Sequence, residues 1–257
     1  MIPTNNSALA AIALLNRIGW SEPSDMSMED IAWSNGLIIK FAGMDGSQGR
    51  ILMSQKEGII TINESINYQP KINFIIAHEI GHAELHRQLS LFNDNERSLN
   101  EWYANGPQEK EANLFAAELL MPTDLFSRKI KRKKLELPLI ADVAEYFGAS
   151  KTAAFLRYRD LGEYPVMIIF IEDGIIKWKS FSNDFPYQWL EYGSKVPAYT
   201  VAGDYFYRQV EEKRPVKVDA MEWFPDDYVC QKAEKPKLWE QCFPTTPNSI
   251  VTCLWTA

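Results

Sequence analysis

Histidine is scarce in this chain, with three in 257 residues, and cysteine is no commoner. Cys230, Cys242 and Cys253 form an odd set with no C-x-x-C spacing, which argues against a disulfide framework or a cysteine-ligated metal; buried free thiols are expected. No apolar run reaches the roughly 18 residues of a membrane span. The N-terminal run, Ala8 to Leu15, has no basic segment ahead of it of the kind a secretory signal carries. A cytoplasmic protein with no membrane partner is expected. Cations are the minority: 27 Lys and Arg against 34 Asp and Glu give a net charge of −7. That balance excludes coating of nucleic acid through bulk positive charge, though not a local basic patch. What is abundant is apolar side chain, 46% of residues, enough for a real core in one large domain or two small ones.

Helical apolar spacing covers residues 7–18, and "MSMEDIAWSNG" predicts a short second helix with Ser27 as N-cap and Gly36 at its end. "LIIKFA", "GRILMS" and "GIITIN" predict three strands punctuated by Gly and Asp turns. Residues 74–85 are too long for a buried strand and contain no proline, so they predict a helix, apolar all round and hence buried. Residues 88–106 are polar and irregular. "GPQEKEANLFAAELLMP" then predicts a helix with Pro107 in its first turn and an end near Pro122. Helices continue to Gly162, where a domain boundary is expected. "YPVMIIFIEDGIIKWKSF" beyond it predicts two strands around a Glu-Asp-Gly turn, opening a β-rich region with five of the eight tryptophans, most of them expected in the core.

All three histidines fall in "FIIAHEIGHAELHR", four apart: His78, His82, His86. On a helix, residues four apart differ by about 40° and one turn, so His78 and His82 can face one metal ion. Glu79, at the flank of that face, can reach a water on the metal without ligating it. This His-Glu-x-x-His pattern is that of zinc peptidases, with zinc acidifying the water and Glu79 as catalytic base. A chance match would leave the histidines on the surface, whereas this helix is expected buried, where two imidazoles and a carboxylate need a partner. Gly81 costs about 1 kcal/mol against alanine in mid-helix, which close approach of a neighbouring element would explain. His86 lies about 80° and two turns from His78, out of easy reach of the same ion. Its expected role is to support the metal ligands or to hydrogen-bond at the cleft edge.

A catalytic zinc keeps three protein ligands. With no histidine left and no cysteine nearby, the third is expected to be a carboxylate of the next helix: Glu109, Glu111 or Glu118. Glu111 and Glu118 share a face bordering the apolar stripe, and spacing does not choose among the three.

"TINESINYQPKINFIIAHEIGHAELHR", followed by "KEANLFAAELLMP", resembles the ImmA/IrrE family of metallo-endopeptidases, with the likeness running over about residues 8–162. The resemblance implies that His78 and His82 are zinc ligands and Glu79 the catalytic glutamate. It also implies that Glu111, opening Glu-Ala-Asn, is the third ligand, which leaves Glu118 a rim salt bridge. It implies a helix-turn-helix repressor as substrate and a small sheet packed on the zinc helices. Strand Ile59–Asn63 is a candidate to pair with an extended substrate backbone.

"LIADVAEYFGASKTAAFLRYRDLG" resembles a helix-turn-helix, and residues 128–160 hold nine Lys or Arg against four Asp or Glu. The second helix, with Ala153, Ala154, Phe155, Leu156 and Tyr158, is apolar for a major-groove reader, so a helical lobe is expected and no specific DNA binding. The fold expected is α+β: a zincin-like peptidase domain (1–125), a helix-turn-helix-like lobe (126–162) and a β-rich C-terminal domain (163–257) whose role the sequence does not give, a sensory one being a candidate. The function expected is zinc-dependent regulatory endopeptidase. The rival readings are a DNA-binding regulator, a toxin–antitoxin-type interaction protein with a zinc site, and a deformylase-like hydrolase; the last takes a cysteine ligand that is lacking here.

Overall fold

The computed structural model describes residues 6–54, 57–86, 106–232 and 236–256. The polar stretch 88–105 lies outside them. The chain gathers into two compact units, Met1–Phe126 with Ala144–Ser150, and Ser127–Val143 with Lys151–Ala257. The architecture is mixed α+β, with a small sheet among helices and a larger sheet towards the C-terminus. Among the described residues, no helix is long and apolar enough to cross a membrane.

In the first unit, α1 (Asn6–Arg17) buries Ala11, Leu14 and Leu15. Helix α2 (Met28–Ser34) starts as expected at Ser27, whose hydroxyl accepts from Asp30 N while Asp30 returns a bond to the Ser27 amide. Strands β1 (Leu37–Ala42), β2 (Gly49–Met53) and β3 (Gly58–Asn63) form a sheet in the order β1-β3-β2. β1 runs parallel to β3, and β2 antiparallel. Ile60 and Ile62 point into the core, while Ile38, Ile59 and Leu52 align in register on the exposed face. β3 is the central strand, so both its edges are already paired, and the expectation that Ile59–Asn63 takes up a substrate backbone is corrected. Its Ile-rich, buried sequence suits the middle of a sheet.

Helices α3 (Gln69–Leu85) and α4 (Pro107–Leu120) make the main helix pair of this unit. After them come α5 (Thr123–Ile130), α6 (Leu137–Tyr146) and α7 (Lys151–Leu161), with Gly148 at φ +58 in the turn before α7.

In the second unit, β4 (Val166–Glu172), β5 (Ile175–Phe181), β6 (Val216–Asp219), β7 (Lys237–Thr246) and β8 (Ser249–Trp255) form an antiparallel sheet ordered β5-β4-β8-β7-β6. The expected hairpin turn is there: Asp173 and Gly174 both take positive φ, 53° and 71°, as two-residue hairpins demand. β8, between two partners, is buried along its whole length. Helix α7 packs Phe155 against Phe243, with rings 4.6 Å apart, and buries Ala154 and Tyr158, so its apolar face is used within the unit. The three cysteines are free and buried. The tryptophans are less uniformly core than expected. Trp223 and Trp255 are buried, Trp178 and Trp239 are half-buried and stacked on Phe170 and Trp255, and Trp189 is 76% exposed.

Candidate metal centre

Helix α3 buries Ile72, Ile75, Ile76, Ile80 and Ala83 together with Glu79 and His82, which accounts for apolar residues on every side of it. A Cβ placed on Gly81 would lie 3.2 Å from both Cα and O of Ala112 and 3.1 Å from Phe115 Cδ1. The glycine therefore lets the α3 and α4 backbones approach closely, the reason expected for it. At the far end, Glu84 Oε1 accepts from Arg17 Nη2 at 2.7 Å and Asn35 Nδ2 at 2.8 Å, tying α3 to the first two helices.

Three groups converge between these helices. His78 Nε2 and His82 Nε2 lie 3.0 Å apart, and each is 3.1 Å from a Glu109 carboxylate oxygen. His78 Nδ1 lies 3.0 Å from Asn113 Oδ1; the amide oxygen can only accept, so Nδ1 carries the proton and the Nε2 lone pair faces the cluster. Burial lowers the His78 pKa, but its bond to Glu109 and the nearby Glu79 and Glu109 charges reverse this, leaving it raised. Burial works on Glu109 in the raising direction, yet its bonds to the two imidazoles bring it to about 2. The donor set fits a divalent transition metal: two imidazoles and a carboxylate, already converging on one point. A tetrahedral zinc with ligands at about 2.0–2.1 Å spaces them about 3.3 Å apart, so the atoms need only a small outward adjustment.

Glu79 is 7% exposed, and burial raises its pKa. It stands beside β2: a Cβ on Gly49 would come within 3.2 Å of Glu79 Oε1 and 2.4 Å of Ile75 Cγ2, so only glycine fits there without displacing α3.

The other candidates are placed differently. Glu111 is not in the cluster. Its side chain is 52% exposed, and its Oε2 lies 3.3 Å from His86 Nε2. The reason is angular. Relative to Ala112, Glu109 lies about 60° round the helix on the side of Ala116 and Asn113, whereas Glu111 lies about 100° round on the other side. Carrying the third ligand over to Glu111 is thus at odds with the geometry, which brings Glu109 to the histidines. Glu118 does not lie at a rim. It is 3% exposed, and its carboxylate accepts from Thr123 N at 2.9 Å and Thr123 Oγ1 at 2.8 Å, capping α5. His86, 8% exposed, ends α3 as its C-cap, and its ring lies 5.7 Å from that of His82. Asn113 went unnoticed in the sequence; its position four beyond Glu109 was the available signal.

The family model described as Peptidase_M78, the IrrE N-terminal-like domain, matches residues 37–159, just under half of the chain. A protein of Bacillus phage phi105 named "Uncharacterized immunity region protein 2" is 36% identical over 104 residues. That match covers 40% of this chain and 60% of the phage protein. A solved structure, a Mycobacterium tuberculosis transcriptional regulator, is similar over 97% of this chain and 75% of its own, with a TM-score of 0.59 at 15% identity, a likeness of fold alone. The match over residues 37–159 and the phage relative both support the likeness to the ImmA/IrrE family carried by the His-Glu-x-x-His and Glu-Ala-Asn segments.

Proposed function

We propose that this chain is a zinc-dependent endopeptidase of regulatory type, with a zincin-like site, that cuts a helix-turn-helix repressor. The observation that carries the reading is the meeting of His78 Nε2, His82 Nε2 and Glu109 within 3.0–3.1 Å, beside the buried carboxylate of Glu79. His78, His82 and Glu109 would hold the metal. When bound, zinc supplies Lewis acidity that polarises the scissile carbonyl and acidifies water. Glu79, in a site where burial raises its proton affinity, takes the proton of the attacking water and passes it to the leaving amine. Asn113 holds His78 in the tautomer that ligation requires. Among the described residues β2 pairs on one side only, with β3, and its first residue Gly49 adjoins Glu79. An extended substrate backbone can add to that open edge and lay its scissile bond beside the carboxylate.

Support for a repressor substrate comes from the immunity-region name of the phage relative. The exposed cations Lys131, Arg132 and Lys133 offer a candidate docking surface. The test is incubation of the zinc-loaded protein with the helix-turn-helix repressor encoded nearest its gene, read by intact mass. One or a few cuts, blocked by chelator and absent in Glu79→Gln, are expected. An intact repressor, or casein degraded as readily, would overturn the regulatory reading.

A further inference from the structure

We infer that His86 is a positioning residue that clamps the first turn of α4, holding Glu109 against His78 and His82, and that Glu111 serves this clamp. The inference rests on the proposed metal site and deepens it.

Glu109 sits in a helical turn with little of its own to hold it. α4 starts at Pro107 with Gly106 as N-cap, a residue with no side chain to cap its amides. The amides of a first turn have no intrahelical partner, and uncapped turns fray. A ligand there is presented accurately only if the tertiary structure fixes it. His86 is placed to do so. It closes α3 one turn beyond His82, its backbone amide bonding to His82 O at 2.9 Å. Its ring makes a hydrogen bond with the backbone at Gln108 and stands 3.3 Å from Glu111 Oε2. Residues 108 and 111 bracket Glu109. One imidazole thus grips the turn on both sides of the proposed ligand, and the grip originates on the helix that carries the two proposed histidine ligands. The 52% exposure of Glu111 fits this auxiliary place better than ligation.

The test compares Glu109→Ala, His86→Ala, His86→Gln, Glu111→Ala and Glu111→Gln in the full chain. Zinc affinity is measured by chelator competition, and amide hydrogen exchange is measured on metal-free protein. Glu109→Ala should weaken zinc most. His86→Ala should weaken it about 10- to 100-fold, the usual effect of removing a residue that orients a ligand. Glu111→Ala should shift affinity less than His86→Ala, and Glu111→Gln, which keeps a group beside the ring, should stay near wild type. The double variant His86→Ala/Glu111→Ala should be no worse than His86→Ala, since both remove one device. Without metal, amides 111–113, which bond to carbonyls 107–109, should exchange faster in His86→Ala, with His86→Gln in between. Unchanged exchange would overturn the clamp. Loss of zinc in both Glu111 variants with retention in Glu109→Ala would make Glu111 the ligand and overturn it as well. A wild-type chain that binds no zinc would instead sink the proposed function, and exchange would still decide the clamp.

Discussion

Two buried glutamates, one in each unit, contrast a structural carboxylate with the one proposed to act as a base. Glu240 is 0% exposed and accepts from Val201 N at 3.1 Å, Ala202 N at 2.8 Å and Trp223 Nε1 at 3.1 Å. Glu79 is 7% exposed, and among the described residues no donor hydrogen-bonds to it; its neighbours are the His78 and His82 rings. Burial raises the pKa of both. The difference is satisfaction. Glu240 has its lone pairs occupied and stitches Val201, Ala202 and Trp223 together, whereas Glu79 keeps its own open to an incoming water. A desolvated carboxylate with free lone pairs is costly to folding and useful as a base.

The sharpest way to break this contrast is to neutralise Glu79. Glu79→Gln should lower peptide cleavage by about 10²- to 10⁴-fold, the range of general-base catalysis, with zinc content unchanged by metal analysis. Loss of zinc in a folded variant would put Glu79 among the ligands and remove the distinction. Glu240→Ala should do the reverse. It orphans three buried donors, so a loss of about 3 kcal/mol is expected in denaturant unfolding, with zinc still bound. The pH dependence sharpens the point. A carboxyl whose pKa is raised by folding adds most stability below its unfolded value of about 4.3, and the contribution falls as pH rises through the folded value. Wild type should therefore lead Glu240→Gln by more at pH 5 than at pH 8 in equilibrium unfolding.

Gly81→Ala comes next. Its methyl meets Ala112 backbone at 3.2 Å, which offsets the roughly 1 kcal/mol that alanine brings to a helix interior. Spreading α3 from α4 should weaken zinc binding with little change in melting temperature; unchanged affinity would mean that the helices can separate without moving Glu109. The smallest effect is expected from Glu118→Ala, which removes the cap on α5 at a cost of about 1 kcal/mol and should leave metal affinity as it was.

Much of this was legible in the residues. The Ser27 cap, the three strands, the Pro107 start of α4 and the Asp-Gly hairpin turn are local chemistry, and each stands where its signal lay. The meeting of His78 and His82 was legible for the same reason, since a four-residue spacing on a helix brings side chains together regardless of context. The choice among Glu109, Glu111 and Glu118 was not. A carboxylate on a second helix reaches the histidines only through the rotation of that helix. That rotation follows from the packing of Ala112, Phe115, Ala116 and Leu119, with Gly81 admitting the close approach. The order β1-β3-β2 was equally hidden, because strand sequence says which face is buried and not which strand lies between the others.

Sequence by itself therefore determined the secondary elements, the burial of α3 and the pairing of two imidazoles with a flanking carboxylate, all governed by interactions within a few residues. Only the tertiary structure decided which glutamate joins them, which strand edge among the described residues lies open beside Glu79, and where His86 stands against the first turn of α4. Those outcomes depend on how separate elements rotate and slide against one another, which their packed side chains settle jointly.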